Sequence, residues 1–298
     1  MAARRVLLTG ATGLIGRQAV PSLVQAGYEV VALSRSGRAI AGANSMACDL
    51  LDRTALDAAV AQAKASHLLH LAWHDNPQDR WTSAANLDWA AASFRLLRRF
   101  ADEGGTRAVC VGSCAEYAWD REVLSEDSPL AATSLYGKVK AATGNALMAT
   151  APALGLSLSW ARVFFCYGPG EPEGRLLGDL INGIRTGQQV DCTDGLQARD
   201  FLHTADIAAG LTALLGSGAE GAVNIGSGTG TQVKDLINGV AHQMGRPDLV
   251  RLGARPRPAT DPDRLIADVT RLTEEVGFAP AYTIETGIAA VLNARGDA

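Results

Sequence analysis

The chain has 298 residues, 47% of them hydrophobic and 19% charged, enough apolar material for one large core or two modest ones. A disordered tail and a small disulfide scaffold are thereby excluded. The formal net charge of -4 lacks the basic surface that binding a phosphate polymer requires, so no nucleic acid partner is expected.

Five cysteines, Cys48, Cys110, Cys114, Cys166 and Cys192, are scattered without a C-x-x-C pair, and their odd number leaves at least one unpaired. The stretch from Met1 to Gly10 has no export signature, and no apolar run approaches the roughly 20 residues of a membrane helix. A cytoplasmic enzyme with reduced thiols and no membrane partner is the expectation. In chain order, β-branched runs at residues 4–8, 29–34, 46–48, 67–71, 107–112 and 157–164 alternate with amphipathic stretches at 13–26, 52–64, 81–102 and 135–154. That alternation predicts βαβ units with right-handed crossovers, hence an α/β fold with a Rossmann-type doubly wound parallel sheet. Pro152 is expected to close or kink the last helix. After Tyr167 the pattern loosens into a Gly/Pro-rich segment and resumes near residues 197–226. Residues 1–164 plus about 196–226 are therefore assigned to a nucleotide-binding domain, and about 165–195 plus 227–298 to a smaller C-terminal substrate lobe. Pro256, Pro258 and Pro262 mark an irregular loop suited to ordering around a ligand.

The first strand runs into Thr9-Gly10-Ala11-Thr12-Gly13-Leu14-Ile15-Gly16, inside which a helical pattern begins. Gly10 permits the tight turn, Gly13 lets backbone approach a pyrophosphate, and Gly16 lets helix pack on strand. Free N–H groups at the helix start then face the phosphates, so Gly10, Thr12, Gly13, Leu14, Ile15 and Gly16 are cofactor-binding candidates. Where an acid marks NAD preference, the second strand ends in Leu33-Ser34-Arg35-Ser36, with Arg38 nearby. Ser34, Arg35 and Arg38 suit a 2′-phosphate, which predicts NADP (NADPH), with NAD possible. Asp49, followed by Leu50, suits the adenine amino group, while helix capping by Asp49 or Asp52 is the alternative.

Hydride transfer to a ketone needs a proton donor and a group that stabilises the developing oxyanion. Tyr136 and Lys140, i and i+4 on a predicted helix, share a face; Lys138 points elsewhere. Bringing a tyrosine from about 10 to neutrality takes roughly 3 pKa units, or about 4 kcal/mol, which an ammonium and an oxidised nicotinamide are suited to supply. Ser113, at a strand end on the C-terminal edge of the sheet, completes a catalytic set of Ser113, Tyr136 and Lys140. His67, His70 and His74 do not make a credible metal set, so no metal is expected; His203 and Asp206 read as structural. Trp73, Trp81, Trp89 and Trp119 read as packing residues, with stacking on a sugar or base as the second option. Cys114 reads as a packed thiol.

Together these residues resemble an extended short-chain dehydrogenase/reductase of the nucleotide-sugar epimerase, dehydratase and reductase family. The resemblance rests on Thr9 to Gly16, His70-Leu71-Ala72, Asn86-Leu87, Ser113 four before Tyr117, and Tyr136-x-x-x-Lys140. Arg162-x-Phe164 with Tyr167-Gly168-Pro169, Arg199-Asp200-Phe201-x-His203 with Asp206, and Asn224-x-Gly226-Ser227-Gly228 extend it over nearly the whole chain. It implies that Leu71, Ala72 and Trp73 line the cofactor, that Asn86 braces the active-site strands as part of that site, and that Lys140 grips the nicotinamide ribose. It also implies a homodimer formed through the helices at 81–102 and 135–154. Arg199 would meet the diphosphate or nucleotide of a nucleotide-linked sugar; Cys114, Phe165 and Arg175 are the other substrate-binding candidates.

Two departures bear on the reaction. Cys114 and Ala115 stand where dehydratases carry paired carboxylates, and Glu116 falls one residue late, on the opposite side of an extended segment. Phe165 replaces an Asn that contacts substrate phosphate. An NADP-dependent reductase of a keto group on a nucleotide-activated 6-deoxy-4-keto sugar is therefore expected, with a 4-epimerase holding tightly bound NAD, or a non-catalytic NADP(H)-sensing protein, as alternatives.

Overall fold

The computed structural model describes residues 4–74 and 76–294; residues 1–3 and 295–298, at the ends of the two expected lobes, and residue 75 lie outside the described residues. Seven strands form one parallel sheet: β1 (Arg4–Thr9), β2 (Tyr28–Ser34), β3 (Ala43–Ala47), β4 (His67–His70), β5 (Arg107–Ser113), β6 (Ser157–Val163) and β7 (Gly221–Ile225). Their order is β7-β6-β5-β4-β1-β2-β3, a doubly wound sheet whose connections reverse direction between β1 and β4. Ligand crevices of such sheets open there, beyond the C-terminal strand ends.

The continuous apolar runs reflect burial on both faces. In β1 the alternation sends Val6 and Leu8 into one core and Leu7 into the other, and all three are fully buried. On the Val6 side lie α1 (Gly16–Gln25), through Ala19, Val20 and Leu23, and the later helix Thr204–Gly216. Opposite lie α2 (Arg53–Ala63), α3 (Ala85–Asp102) and α4 (Leu135–Thr150).

Asp52 caps α2 by accepting from Thr54 N–H at 2.8 Å and Ala55 N–H at 3.0 Å. Ser134 caps α4 through Gly137 N–H at 3.1 Å. That helix stops at Thr150, earlier than its apolar pattern, because Ala151–Leu154 tightens into a 3-10 turn containing Pro152. α1 starts at Gly16 because Gly13 N–H closes a turn on Gly10 O at 3.0 Å.

A second layer carries short strands with no readable period. Thr231–Gln232, Ala198–Arg199, Arg264–Ala267 and Val123–Leu124 form a four-stranded sheet in that order. Phe201–His203 pairs with Phe165–Tyr167, and Val250–Arg251 with Val190–Asp191. Val123–Leu124 reaches into this layer from within residues 1–164, the segment assigned to the nucleotide-binding part. The layer's own core joins the helices Leu176–Arg185, Val233–Gln243 and Ile284–Ala294 through Leu180, Ile181, Leu236, Val240 and Val291.

Candidate active site

The glycine turn is sterically dictated at its two ends. Gly10 has φ +73°, and a Cβ there would lie 2.8 Å from Ala72 N; at Gly16 it would lie 2.0 Å from Gly10 O. A buried chain of hydrogen bonds fixes this turn against the end of β4. Thr9 Oγ1 accepts from Ala72 N–H at 3.2 Å and lies 2.7 Å from His70 Nδ1, while His70 Nε2 lies 2.9 Å from Ser93 Oγ. Ser93 gives its proton to Trp89 O at 2.7 Å, so the network assigns the imidazole proton to Nε2 and makes Thr9 the donor to Nδ1. Burial, aided by the nearby Lys140 charge, pushes His70 down to about 3, so it stays neutral.

At the end of β2, Ser34 Oγ accepts from Gly37 N–H at 3.1 Å. Arg35 and Arg38 are exposed, and neither guanidinium has a partner among the described residues. Asp49 is exposed and accepts from Leu51 N–H at 3.0 Å, and Leu50 is buried; the helix-capping role belongs to Asp52.

A cavity of about 720 Å³ at the C-terminal ends of β4, β5 and β6 is lined by Ile15, Leu71, Trp73, Ser113, Tyr136 and Lys140. Ser113 ends β5 in extended backbone, then Cys114–Glu116 turns as a 3-10 helix capped by the Ser113 side chain. Tyr136 N–H donates to Trp81 O at 3.2 Å, and the two rings meet edge to face with centroids 5.3 Å apart. Burial pushes the Tyr136 phenol up to about 12, against a hydrogen bond with Ser113 that lowers it. One turn on, Lys140 Nζ donates to Val111 O at 2.7 Å and sits 3.7 Å from the Trp73 ring centroid. Burial pushes Lys140 down to about 7, opposed mainly by the Glu116 carboxylate. Asn86 is fully buried and held by protein: Nδ2 donates to Arg80 O and Ser83 O, both at 2.9 Å, and Oδ1 accepts from Trp73 Nε1 at 2.8 Å.

Glu116 corrects the extended-segment expectation. The 3-10 turn carries its carboxylate beneath Ser113, where Oε1 accepts from Ser113 N–H at 2.7 Å and Oε2 accepts from Arg162 Nε at 2.9 Å. Trp160 Nε1 donates to the same carboxylate at 3.0 Å, and Arg162 continues to Tyr117 OH at 3.0 Å and Glu126 O at 3.1 Å. Tyr117 OH in turn donates to Asn224 Oδ1 at 2.7 Å. Gly112 makes room for this network, since a Cβ would lie 2.4 Å from Glu116 Oε1. The readable signal was Ser113-x-x-Glu116, the spacing of a reciprocal capping box.

Cys114, Phe165, Arg175 and Arg199 all line the cavity, as do Trp81 and Trp119; Trp89, on α3, is partly buried against the core. Burial pushes the Cys114 thiol up to about 12, which makes it a packing group. Arg175 donates to Glu171 Oε1 at 3.2 Å and to Cys166 Sγ at 3.1 Å. Arg199 pairs with Asp261, donates to Ala198 O at 2.8 Å, and lies 5.5 Å from the Phe165 ring centroid. Arg257 bonds both Asp261 and Asp263, so the proline-rich loop is tied down by ion pairs of its own. His203 caps the helix Thr204–Gly216 through Ala205 N–H, and Asp206 accepts from Ala281 and Tyr282 N–H.

Sheet order, switch-point crevice and glycine turn define a Rossmann-type nucleotide-binding protein. The chain belongs to the NAD dependent epimerase/dehydratase family, whose model matches residues 6–226. It is similar to a dTDP-4-dehydro-6-deoxy-D-allose reductase of Streptomyces bikiniensis, 30% identical over 311 residues, covering 96% of this chain and 94% of that protein. A UDP-glucose 4-epimerase of Corynebacterium glutamicum is 25% identical over 309 residues, covering 94% of this chain and 92% of that one. Among solved structures, MoeE5 in complex with UDP-glucose and NAD superposes with TM-score 0.85 at 27% identity, covering 98% of this chain and 99% of that one. Among the described residues, no helix is long and apolar enough to cross a membrane.

Proposed function

We propose that this protein is an NADP-dependent reductase that delivers hydride to the keto group of a nucleotide-activated 6-deoxy-4-keto sugar. The observation that carries the cofactor preference is the pair of guanidinium groups, Arg35 and Arg38, without partners among the described residues, at a strand end whose sequence Leu33-Ser34-Arg35-Ser36 has no acid to repel a 2′-phosphate. Gly10, Gly13 and Gly16 with the start of α1 accommodate the pyrophosphate. NADPH, when bound, supplies the hydride. Tyr136, kept protonated by burial, gives its proton to the carbonyl oxygen; Ser113 hydrogen-bonds that oxygen; Lys140 stabilises the phenolate left behind. Arg175 and Arg199 supply cations for the diphosphate, Arg199 by exchanging Asp261 for phosphate oxygens.

The named reaction of the Streptomyces relative supports reduction. The epimerase relative and the NAD-bound neighbour support a second reading, a 4-epimerase that oxidises and re-reduces one carbon with a retained cofactor. Deuterium at C4 of the nicotinamide separates the two. A reductase transfers the label to the keto carbon of a dTDP- or UDP-linked 4-keto-6-deoxyhexose, one per NADPH oxidised. Interconversion of 4-epimers without NADPH consumption contradicts reduction.

We also propose a homodimer through α3 and α4. Leu87 and Phe94, seven residues apart and therefore on one face of α3, are exposed, as are Ala142, Ala146 and Ala149 on the neighbouring α4. Light scattering on the purified protein and on Leu87→Glu tests this; a monomeric wild type refutes it.

A further inference from the structure

Lys140 and Tyr136 are one turn apart on α4, so anything that fixes the first turns of that helix fixes both. The contact that holds Lys140 comes from outside the helix. Trp73, three residues past the end of β4, places its ring face 3.7 Å from Lys140 Nζ, while Val111 O accepts from that ammonium at 2.7 Å. An ammonium has three N–H groups, so the carbonyl and the π face occupy two directions and leave one for a ligand hydroxyl or the Tyr136 oxygen.

The indole cannot swing away, because Nε1–H is bonded to Oδ1 of the fully buried Asn86 at 2.8 Å. The other end of the same amide holds Arg80 O and Ser83 O, fixing the loop whose Trp81 carbonyl takes Tyr136 N–H and whose Trp81 ring packs on Tyr136. One amide thereby sets the distance between the support of Lys140 and the support of Tyr136.

We infer that Trp73 is a positioning residue, its ring held by Asn86 so that the face aims the Lys140 ammonium at the bound cofactor and Tyr136. The inference rests on the proposed roles of Lys140 and Tyr136, and its test separates the two. A phenylalanine keeps a smaller aromatic face and loses the fused ring and the N–H that Asn86 holds; a leucine loses the aromatic face altogether.

The chain has four lysines, Lys64, Lys138, Lys140 and Lys234, and Lys140 is the buried one, so protein labelled with carbon-13 at lysine Cε gives a spectrum in which it is assignable. The expected result is a Lys140 signal displaced upfield mainly by the ring current of Trp73, with a smaller part from the Trp160 ring 5.7 Å away, the Trp73 part being retained in part in Trp73→Phe and lost in Trp73→Leu, and the signal being moved by NADPH. In turnover, Trp73→Leu is expected to lose roughly 10- to 30-fold in kcat, the equivalent of a desolvated cation–π contact, with KM nearly unchanged. Trp73→Phe recovers only part of that loss, because its ring has an aromatic face but no bond to Asn86.

Equal loss of kcat in the two variants, or an upfield shift undiminished in Trp73→Leu, overturns the inference. A ring-current shift that behaves as expected but ignores both NADPH and NADH refutes the cofactor role of Lys140, and the positioning role falls with it.

Discussion

Glu116→Ala is expected to damage the protein more than any surface substitution, although the residue never faces the cavity. The carboxylate is fully buried and the Arg162 side chain is 3% exposed, so deletion leaves a guanidinium in the interior without its counter-ion. Breaking such a pair costs about 3–5 kcal/mol. Arg162 keeps its bonds to Tyr117 OH and Glu126 O, which places the loss near the lower end, about 3 kcal/mol. At about 2–4 °C per kcal/mol, Tm falls by about 6–12 °C. Ser113 N–H and Trp160 Nε1 lose their acceptor in the same step, so kcat falls with stability. Calorimetry and urea unfolding measure the first effect. The double variant Glu116→Leu, Arg162→Met removes both charges and is expected to regain much of the stability, because hydrophobic replacement of a buried pair is often neutral. A Glu116→Ala protein within about 1 kcal/mol of wild type, or a double variant worse than both singles, refutes the reasoning.

Tyr136→Phe removes the proton donor and should cost kcat at least about 100-fold while leaving NADPH affinity nearly unchanged by fluorescence titration; retained turnover contradicts the assignment. Gly16→Ala places a Cβ 2.0 Å from Gly10 O, so the turn must deform, and NADPH affinity is expected to fall roughly 10-fold or more, an effect absent if the turn does not hold the cofactor. His70 binds a proton at about 3 when folded and near 6.5 when unfolded, so the unfolded chain takes up the proton first. Its contribution is full above about pH 6.5 and is lost as pH falls toward 3, with a slope of up to about 1.4 kcal/mol per unit. Urea unfolding between these limits should show a shallower pH dependence for His70→Gln; an unchanged slope contradicts the neutral, buried imidazole.

The large sheet was legible because strands buried on both faces are apolar without interruption, and Gly10 to Gly16 was legible because steric need leaves its mark in residue type. The second layer was not, since Val123–Leu124, Ala198–Arg199 and Thr231–Gln232 are too short to show a period. The helix expected from residue 81 starts at Ala85, because residues 80–83 are held as a loop by the Asn86 side chain, a tertiary device that local pattern cannot show. The segment does not stay extended past Ser113: a 3-10 turn takes the Glu116 carboxylate onto Ser113 N–H, still out of the cavity, a local detail that an extended reading could not give. The contact of Trp73 with Lys140 joins elements remote in sequence, so only the folded chain reveals it.

The central claim, an exchangeable NADPH read by Arg35 and Arg38, is tested most directly by cofactor identity. The nucleotide released from purified protein is assayed, and the stripped protein is titrated with NADPH and NADH side by side, together with Arg35→Ala. Little carried-over cofactor, tighter binding of NADPH, and loss of that preference in Arg35→Ala are predicted. Stoichiometric bound NAD with no preference for NADPH contradicts the account and favours the internal redox cycle of an epimerase.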